Sequence, residues 1–293
     1  MIADSNPILP DHYFQTASRF PDVFRPRKAD SHKGTYGTLG IIGGSEGMSG
    51  ALVLAASAAL YLGCGKVWAG FRQHSLPFAM IPERPEIMLA TAEKLLQRND
   101  ITAWVAGCGL GLDEAAEQTL SQVLKQAAHT PLLLDADALT LLARPSENRQ
   151  AAIRHPQLIL TPHPAEAARL LNVSTTEIQN NRPQAAAEIS QTFQAVTVLK
   201  GHHTLIAAPD GDIETNFSGN AGLATAGSGD VLSGIIGSLT AQTIDLWQAT
   251  CAAVWLHGTA ADLLKTRQGE IGMLAGEIAP AARWLRNRLI TDN

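Results

Sequence analysis

The 293-residue chain predicts an α/β fold, a mostly parallel sheet with helices on both faces and an antiparallel hairpin at one end. Three observations carry that expectation. From Thr38 onward, short apolar runs ending in glycine or aspartate alternate with longer helical patterns, as in successive βαβ units. The runs are nearly all apolar rather than alternating, as expected of strands covered on both faces. After Lys200 the pattern changes to two short runs around Pro209-Asp-Gly-Asp212, a strong turn signal between antiparallel partners.

The elements follow in order. Thr38 to Ile42 forms the first strand and runs into a glycine-rich turn, after which Ala51 to Leu62 reads as a helix. Lys66 to Phe71, Trp104 to Ala106 and Pro131 to Leu134 are the next strands, with a helix at Glu114 to Gln126 before the last of them. Leu158 to Leu160 and Val196 to Leu199 complete the parallel set. Between those two lie helices at Pro164 to Leu171, where Pro164 is a favourable first helical residue, and at Pro183 to Thr192. The hairpin pairs His203 to Ala208 with Ile213 to Thr215, and three helices follow at Val231 to Leu239, Leu246 to Leu264 and Ala275 to Arg288. No linker rich in Pro, Ser or charge follows residue 35, and no repeat or low-complexity tract is visible. The division expected is an N-terminal arm, residues 1–30, and one domain, residues 31–293.

A net charge of −5 without a long basic run argues against nucleic acid or an anionic membrane surface as the main partner. Cys64, Cys108 and Cys251 are odd in number, widely spaced and set among apolar residues, which fits buried thiols in a reducing cytoplasm better than disulfides or zinc. Met1 to Phe24 lacks the apolar core of a secretory signal, and the longest apolar run, Ala51 to Gly65, is short for a membrane span. A cytoplasmic protein is expected.

In such a sheet, ligands bind beyond the carboxyl ends of the strands, and that rule selects the loops to weigh. In Asn220-Ala-Gly-Leu-Ala-Thr-Ala-Gly-Ser-Gly-Asp230, a small-residue loop runs into an apolar helix. Gly227 and Gly229 allow close backbone approach, and the helix start offers free N–H groups and its positive dipole end to a phosphate. Asp230, in the first turn, is open to two readings: a helix cap, or a base beside an anion site. Gly43 to Ala51 and Gly107-Cys-Gly-Leu-Gly111 are further glycine turns, without a G-x-G-x-x-G order or a Walker lysine. Asp135-Ala-Asp137 offers two acids for metal or sugar hydroxyls, although Asp137 suits a helix cap equally. Thr161-Pro-His-Pro-Ala-Glu166 leaves His163 and Glu166 near the crevice. Lys200-Gly-His-His-Thr204 suits nucleotide phosphate or ribose, and its paired histidines are poor metal ligands if they sit on a strand and face opposite ways. His257, in an Ala- and Val-rich helix, reads as a packed histidine.

These loops, in this order and together with His32-Lys-Gly-Thr-Tyr-Gly37, resemble the carbohydrate-kinase-like domain of NAD(P)H-hydrate dehydratases in the ribokinase-like superfamily. The match spans roughly residues 30–290. Any one motif is weak, whereas the ordered set is specific. Ala165, Ala221, Cys108, Ala226 and Ser228 depart from residues common in the family, all by small replacements.

The resemblance implies a three-layer ribokinase-like fold and the dehydration of the S epimer of hydrated NADH or NADPH (NADHX or NADPHX). ADP, in preference to ATP, would serve as phosphoryl donor, with Mg2+. It implies that Ala51, Gly111, His163 and Asp230 contact the hydrated dinucleotide, with Asp230 as catalytic base. Lys200, Gly201, His202, His203, Thr204 and Gly229 would hold the nucleotide. Glu166 matches the acid of the superfamily's N-x-x-E element, with His163 in place of Asn, which implies water-mediated magnesium. A homo-oligomer, with a tetramer as the expected form, and a separate epimerase belong to the same expectation. Two rivals use the same loops: a hydroxyethylthiazole- or pyridoxal-type kinase, and a nucleotide-binding regulatory protein without turnover.

Overall fold

A computed structural model of the chain describes residues 9–290. Nine strands form one sheet: β1 (Thr38–Gly43), β2 (Lys66–Phe71), β3 (Met88–Thr91), β4 (Ala103–Ala106), β5 (Leu132–Leu134), β6 (Leu158–Leu160), β7 (Val196–Leu199), β8 (Thr204–Ala207) and β9 (Ile213–Asn216). Their order is β3-β2-β1-β4-β5-β6-β7-β8-β9. Every pairing as far as β6 with β7 is parallel, and β7–β8 and β8–β9 are antiparallel. The chain leaves β1 for β2 on one side and reaches β4 on the other. That reversal is a topological switch point, and it sets the loops after β1 and β4 side by side.

The helices are α1 (Asp11–Ala17), α2 (Ser49–Tyr61), α3 (Ala92–Leu95), α4 (Glu114–Gln126), α5 (Asp137–Leu142) and α6 (Glu147–Ile153), then α7 (Pro164–Leu171), α8 (Thr175–Asn180), α9 (Arg182–Phe193), α10 (Ser228–Ala241), α11 (Leu246–Gln268) and α12 (Ala275–Leu289). Strand residues divide between two apolar clusters with period two, as a pleated sheet requires. Leu39, Ile41, Val105 and Leu133 join α2, α10, α11 and α12 on one face, whereas Ile42, Trp104, Ala106, Leu132 and Leu134 join α4, α5, α7 and α9 on the other. Because both faces are covered, β1, β4, β5, β6 and β7 bury every residue, which accounts for their nearly all-apolar sequences. Glycine sets the fit of α10 in this layer. A Cβ at Gly234 would stand 2.1 Å from the Ala55 carbonyl oxygen of α2, and one at Gly237 would stand 2.5 Å from Val105.

Several elements were not expected. The edge strand β3 is short and mostly half-buried, and α3, α5, α6 and α8 have at most seven residues, too few to show a period. Within the first 30 residues, Leu9, Phe20, Val23 and Phe24 enter the same core as α10 to α12. Tyr13 and Phe24 meet the Trp255 ring edge-on, and Arg19 pairs with Glu214 of β9 at 2.8 Å. The hairpin begins at Thr204 rather than at His203, because His203 takes the left-handed conformation (φ +54°) in the turn before it.

Candidate active site

Backbone contacts tie the loops at the carboxyl edge of the sheet into one surface. Gly44 and Ser45 donate N–H groups to the carbonyls of Cys108 and Gly109, at 2.9 and 2.7 Å. Gly107, at φ +125°, lies so close to the next loop that a Cβ there would fall 1.8 Å from the Asp135 carbonyl oxygen. Lys200 N–H bonds to the Pro162 carbonyl at 2.8 Å. Residues from five strand ends thereby face one another.

A charged centre lies among them. Asp135 is 1% exposed, and its two carboxylate oxygens accept from Lys200 Nζ and from Ser233 Oγ, each at 2.7 Å. Lys200 Nζ also lies 3.9 Å from Glu166. Burial works against the Lys200 charge, but Asp135 and Glu166 more than offset it, so the ammonium is held above its ordinary range. Burial pushes Glu166 up to about 7, against the pull of Lys200. Its carboxylate closes a capping box at the start of α7: Glu166 accepts from His163 N–H at 2.8 Å, while His163 Nδ1 accepts from Ala165 and Glu166 N–H at 3.1 and 3.3 Å. The His163 imidazole is therefore engaged at Nδ1, with about half of the side chain exposed. Burial, followed by Lys200 and Arg169, lowers its pKa, which leaves the ring neutral near pH 7.

Asp230 is not a cap. The N-cap of α10 is Gly227, at φ +90° and without a side-chain cap bond, and Asp230 follows at the third helical position. Burial raises its carboxyl to about 6; the Cys108 thiol and Lys200 pull it down, and Asp135 and Asp137 push it up. The Cys108 thiol, wholly buried, is raised well above its ordinary value by burial and by Asp230 and Asp135. Asp137 is likewise not a cap: Ala136 precedes α5 as its N-cap, and Asp137 Oδ2 accepts from Gly111 N–H at 2.8 Å, fixing the β4 loop.

Beside this centre is a cavity of about 660 Å³, within the range of small-ligand sites. Lys200, Gly201, His202, His203, Thr204 and Gly229 all line it, with Phe217, Leu232 and His257 among the others. Arg182 secures its wall by donating to the carbonyls of Leu199, Lys200 and His203. His202 and His203 lie in a turn, not on a strand, so the expectation of opposed faces fails: their rings stack at 3.8 Å with an interplanar angle of 30°. Phe217, 73% exposed, meets His203 edge-on at 5.0 Å. His257 is packed as expected, with Nε2 3.0 Å from the Ser228 carbonyl, and burial depresses it to about 4.

Ala51 and Gly111 sit around the switch point, in the first turn of α2 and on the loop after β4. A Cβ at Gly109 would lie 3.5 Å from the Ala51 methyl, and Gly111, at φ +89°, backs onto the Arg72 guanidinium. Arg72, which donates to the Leu110 carbonyl and pairs with Asp113 at 3.1 Å, was not anticipated. It directly follows the carboxyl end of β2, so the strand-end rule that selected Lys200 also reaches it.

Among the described residues, no three His, Cys, Asp or Glu side chains converge as a metal cage. Mg2+ carried by nucleotide phosphates keeps most of its waters and needs few protein carboxylates, and Glu166, 3.9 Å from Lys200, is one such carboxylate beside the site. The three cysteines are free and buried, and no helix among the described residues is long and apolar enough to cross a membrane.

A parallel sheet ended by a hairpin, with a nucleotide-sized cavity and an uncapped carboxylate at a glycine-led helix start, defines a ribokinase-like enzyme site. The solved structure of a ribokinase-like superfamily protein from Enterococcus faecalis V583 shares the architecture, at a TM-score of 0.78 and 27% identity over 96% of this chain and 95% of that one. The chain belongs to the NAD(P)H-hydrate dehydratase family, whose model matches residues 39–282. It is 61% identical over 276 residues to the ADP-dependent (S)-NAD(P)H-hydrate dehydratase of Neisseria meningitidis serogroup B, covering 94% of this chain and 93% of the relative. The Bacillus subtilis ADP/ATP-dependent NAD(P)H-hydrate dehydratase, co-crystallized with ATP/Mg2+, superposes at a TM-score of 0.82 with 34% identity, covering 95% and 96% of the two chains. The chain spans about half the length of the bifunctional NAD(P)H-hydrate repair enzymes it also matches, 53% for those of Coxiella burnetii and Escherichia coli.

Proposed function

We propose that the chain catalyses ADP-dependent dehydration of the S epimer of hydrated NADH and NADPH, restoring the reduced cofactor. The observation that carries this reading is Asp230: a half-buried carboxylate with a pKa near 6, free of capping duty, next in the chain to Gly229 of the nucleotide-sized cavity and against Cys108 of the loop after β4. Near neutral pH it is mostly ionised yet still basic enough to accept a proton in the transition state.

The hydroxyl on the hydrated ring is a poor leaving group. Asp230 takes its proton as the oxygen bonds to the terminal phosphoryl group, and the bond to the shortened nucleotide breaks. Lys200, fixed by Asp135 and Glu166, and the N–H groups at the start of α10 hold the phosphate charge. Bound Mg2+ would neutralise further charge on the phosphates, with Glu166 reaching it through water. His202, His203, Thr204 and Phe217 line the nucleotide end, whereas Ala51, Gly111 and His163 frame the dinucleotide. The C–O bond to the phosphate then breaks, the neighbouring ring carbon gives up a proton to the departing phosphate or to water, and the electron pair of that C–H bond restores the ring double bond.

Purified protein incubated with hydrated NADH and Mg2+, with ADP or with ATP, tests the reading. Return of the reduced-nicotinamide absorbance with stoichiometric phosphate release, faster with ADP, is expected. A stable phosphorylated product without recovered NADH would instead mark a small-molecule kinase.

A further inference from the structure

At the amino ends of the strands, on the far side of the sheet from the active site, lies a second cavity of about 780 Å³. The ends of α2, α10 and α12 and the segment before β1 enclose it. Among the described residues, five cations line it, Arg25, Arg27, Lys28, Arg283 and Arg286, against one acid, Asp22, which already pairs with Arg25 at 3.2 Å. In a chain of net charge −5 this is a strong local excess of positive charge.

Part of that charge serves the fold. Arg286 donates to the Val23 carbonyl at 3.0 Å, to the Leu62 carbonyl and to Gln242 Oε1 at 3.4 Å, while Arg27 donates to the Gly63 carbonyl and lies 3.8 Å from the Tyr36 ring centroid. The carbonyl ends of α2 and α10 offer these arginines about half a negative charge each, which leaves most of the excess uncancelled. Lys28 and Arg283 have no carboxylate partner among the described residues. Arg283 rests on the Tyr61 ring, 4.8 Å from its centroid, with Arg84 4.7 Å from the same centroid. Burial, and then repulsion by Arg27 and Arg25, lowers Arg286 to about 10.

We propose that this cavity is a second anion site, which takes a small ligand carrying two or more phosphate groups. Guanidinium forks match phosphate oxygens in pairs, and a concave wall with several cations rewards a compact polyanion over a single charge.

The test titrates inorganic tripolyphosphate into wild-type protein and into a Lys28→Glu/Arg283→Glu double variant, by calorimetry at fixed ionic strength. Both side chains are exposed and bond to no backbone group, so the fold is retained, and thermal unfolding checks this. Tripolyphosphate bound at the catalytic loops is common to both proteins and cancels in the comparison. A component whose affinity falls about tenfold or more in the variant, with hydrated-NADH turnover unchanged in the absence of tripolyphosphate, is expected. Displacement of that component by ADP identifies a nucleotide as the occupant, and its persistence identifies another polyphosphate; either supports the site. Equal binding by the two proteins, or an effect reproduced by chloride at the same ionic strength, overturns it.

Discussion

Replacing Asp135 by Asn removes the charge on which Lys200 depends and leaves its volume nearly unchanged. Both oxygens of the carboxylate are in use at 2.7 Å, one by Lys200 Nζ and one by Ser233 Oγ. Asparagine keeps one acceptor and turns an NH2 group toward the other donor. Breaking a buried ion pair by removing one partner costs about 3–5 kcal/mol. Lys200 is 20% exposed and retains Glu166 at 3.9 Å, which moves the expectation to about 2–3 kcal/mol. For a chain of this size that corresponds to a fall in Tm of about 3–5 °C. The pH profile should move as well. The Asp135 charge helps to raise Asp230, so its loss lowers the Asp230 pKa, and the acidic limb of kcat/KM, expected near pH 6, shifts to lower pH. Thermal unfolding and a pH series of the hydrated-NADH assay read both effects. A Tm within about 1 °C of wild type together with an unmoved acidic limb would refute the charged centre as described.

Three further predictions follow from single positions. A Cβ at Gly229 would meet only Lys200 Nζ at 3.6 Å and Asp135 Oδ2 at 3.9 Å, ordinary contacts, so Gly229→Ala should fold as well as wild type while the added methyl raises KM for ADP; equal KM values would remove Gly229 from the nucleotide site. Asp230→Asn should stabilise the protein at about pH 8 by about 2–3 kcal/mol, because a carboxyl raised from 3.8 to about 6 loses its stabilising share as pH climbs through that range. The gain should vanish below about pH 4, and a pH-independent difference in denaturant titrations would contradict the assignment. Phe217→Ala should weaken ADP binding by about 1–3 kcal/mol, the scale of base stacking on an aromatic ring, with kcat less affected; calorimetry that finds no loss would exclude a base at that rim.

The sheet was legible in the sequence because strands buried on both faces write themselves as uninterrupted apolar runs. Thr38 to Ile42, Lys66 to Phe71 and Leu158 to Leu160 all fall within or match the observed strands. The short edge strand β3 and the six- and seven-residue helices were not, since neither period completes over so few residues. At the site, glycine and small-residue loops marked the crevice, but partnerships did not show. Asp135 and Lys200 are 65 positions apart, and only the register of β5, β6 and β7 brings them to 2.7 Å. A still longer separation in sequence hid Cys108 beside Asp230. Asp230 itself was ambiguous until Gly227 proved to be the N-cap, and the histidine pair was misread because one positive φ at His203 moved the start of the hairpin by a residue.

The central claim is that Asp230 accepts the hydroxyl proton while the phosphate site binds independently of it. Single-turnover conversion of hydrated NADH by Asp230→Asn, with ADP binding measured on the same sample, tests it most directly. Unchanged ADP affinity with turnover reduced by about 10²-fold or more is the predicted result. Turnover within a few-fold of wild type would contradict the assignment of the base.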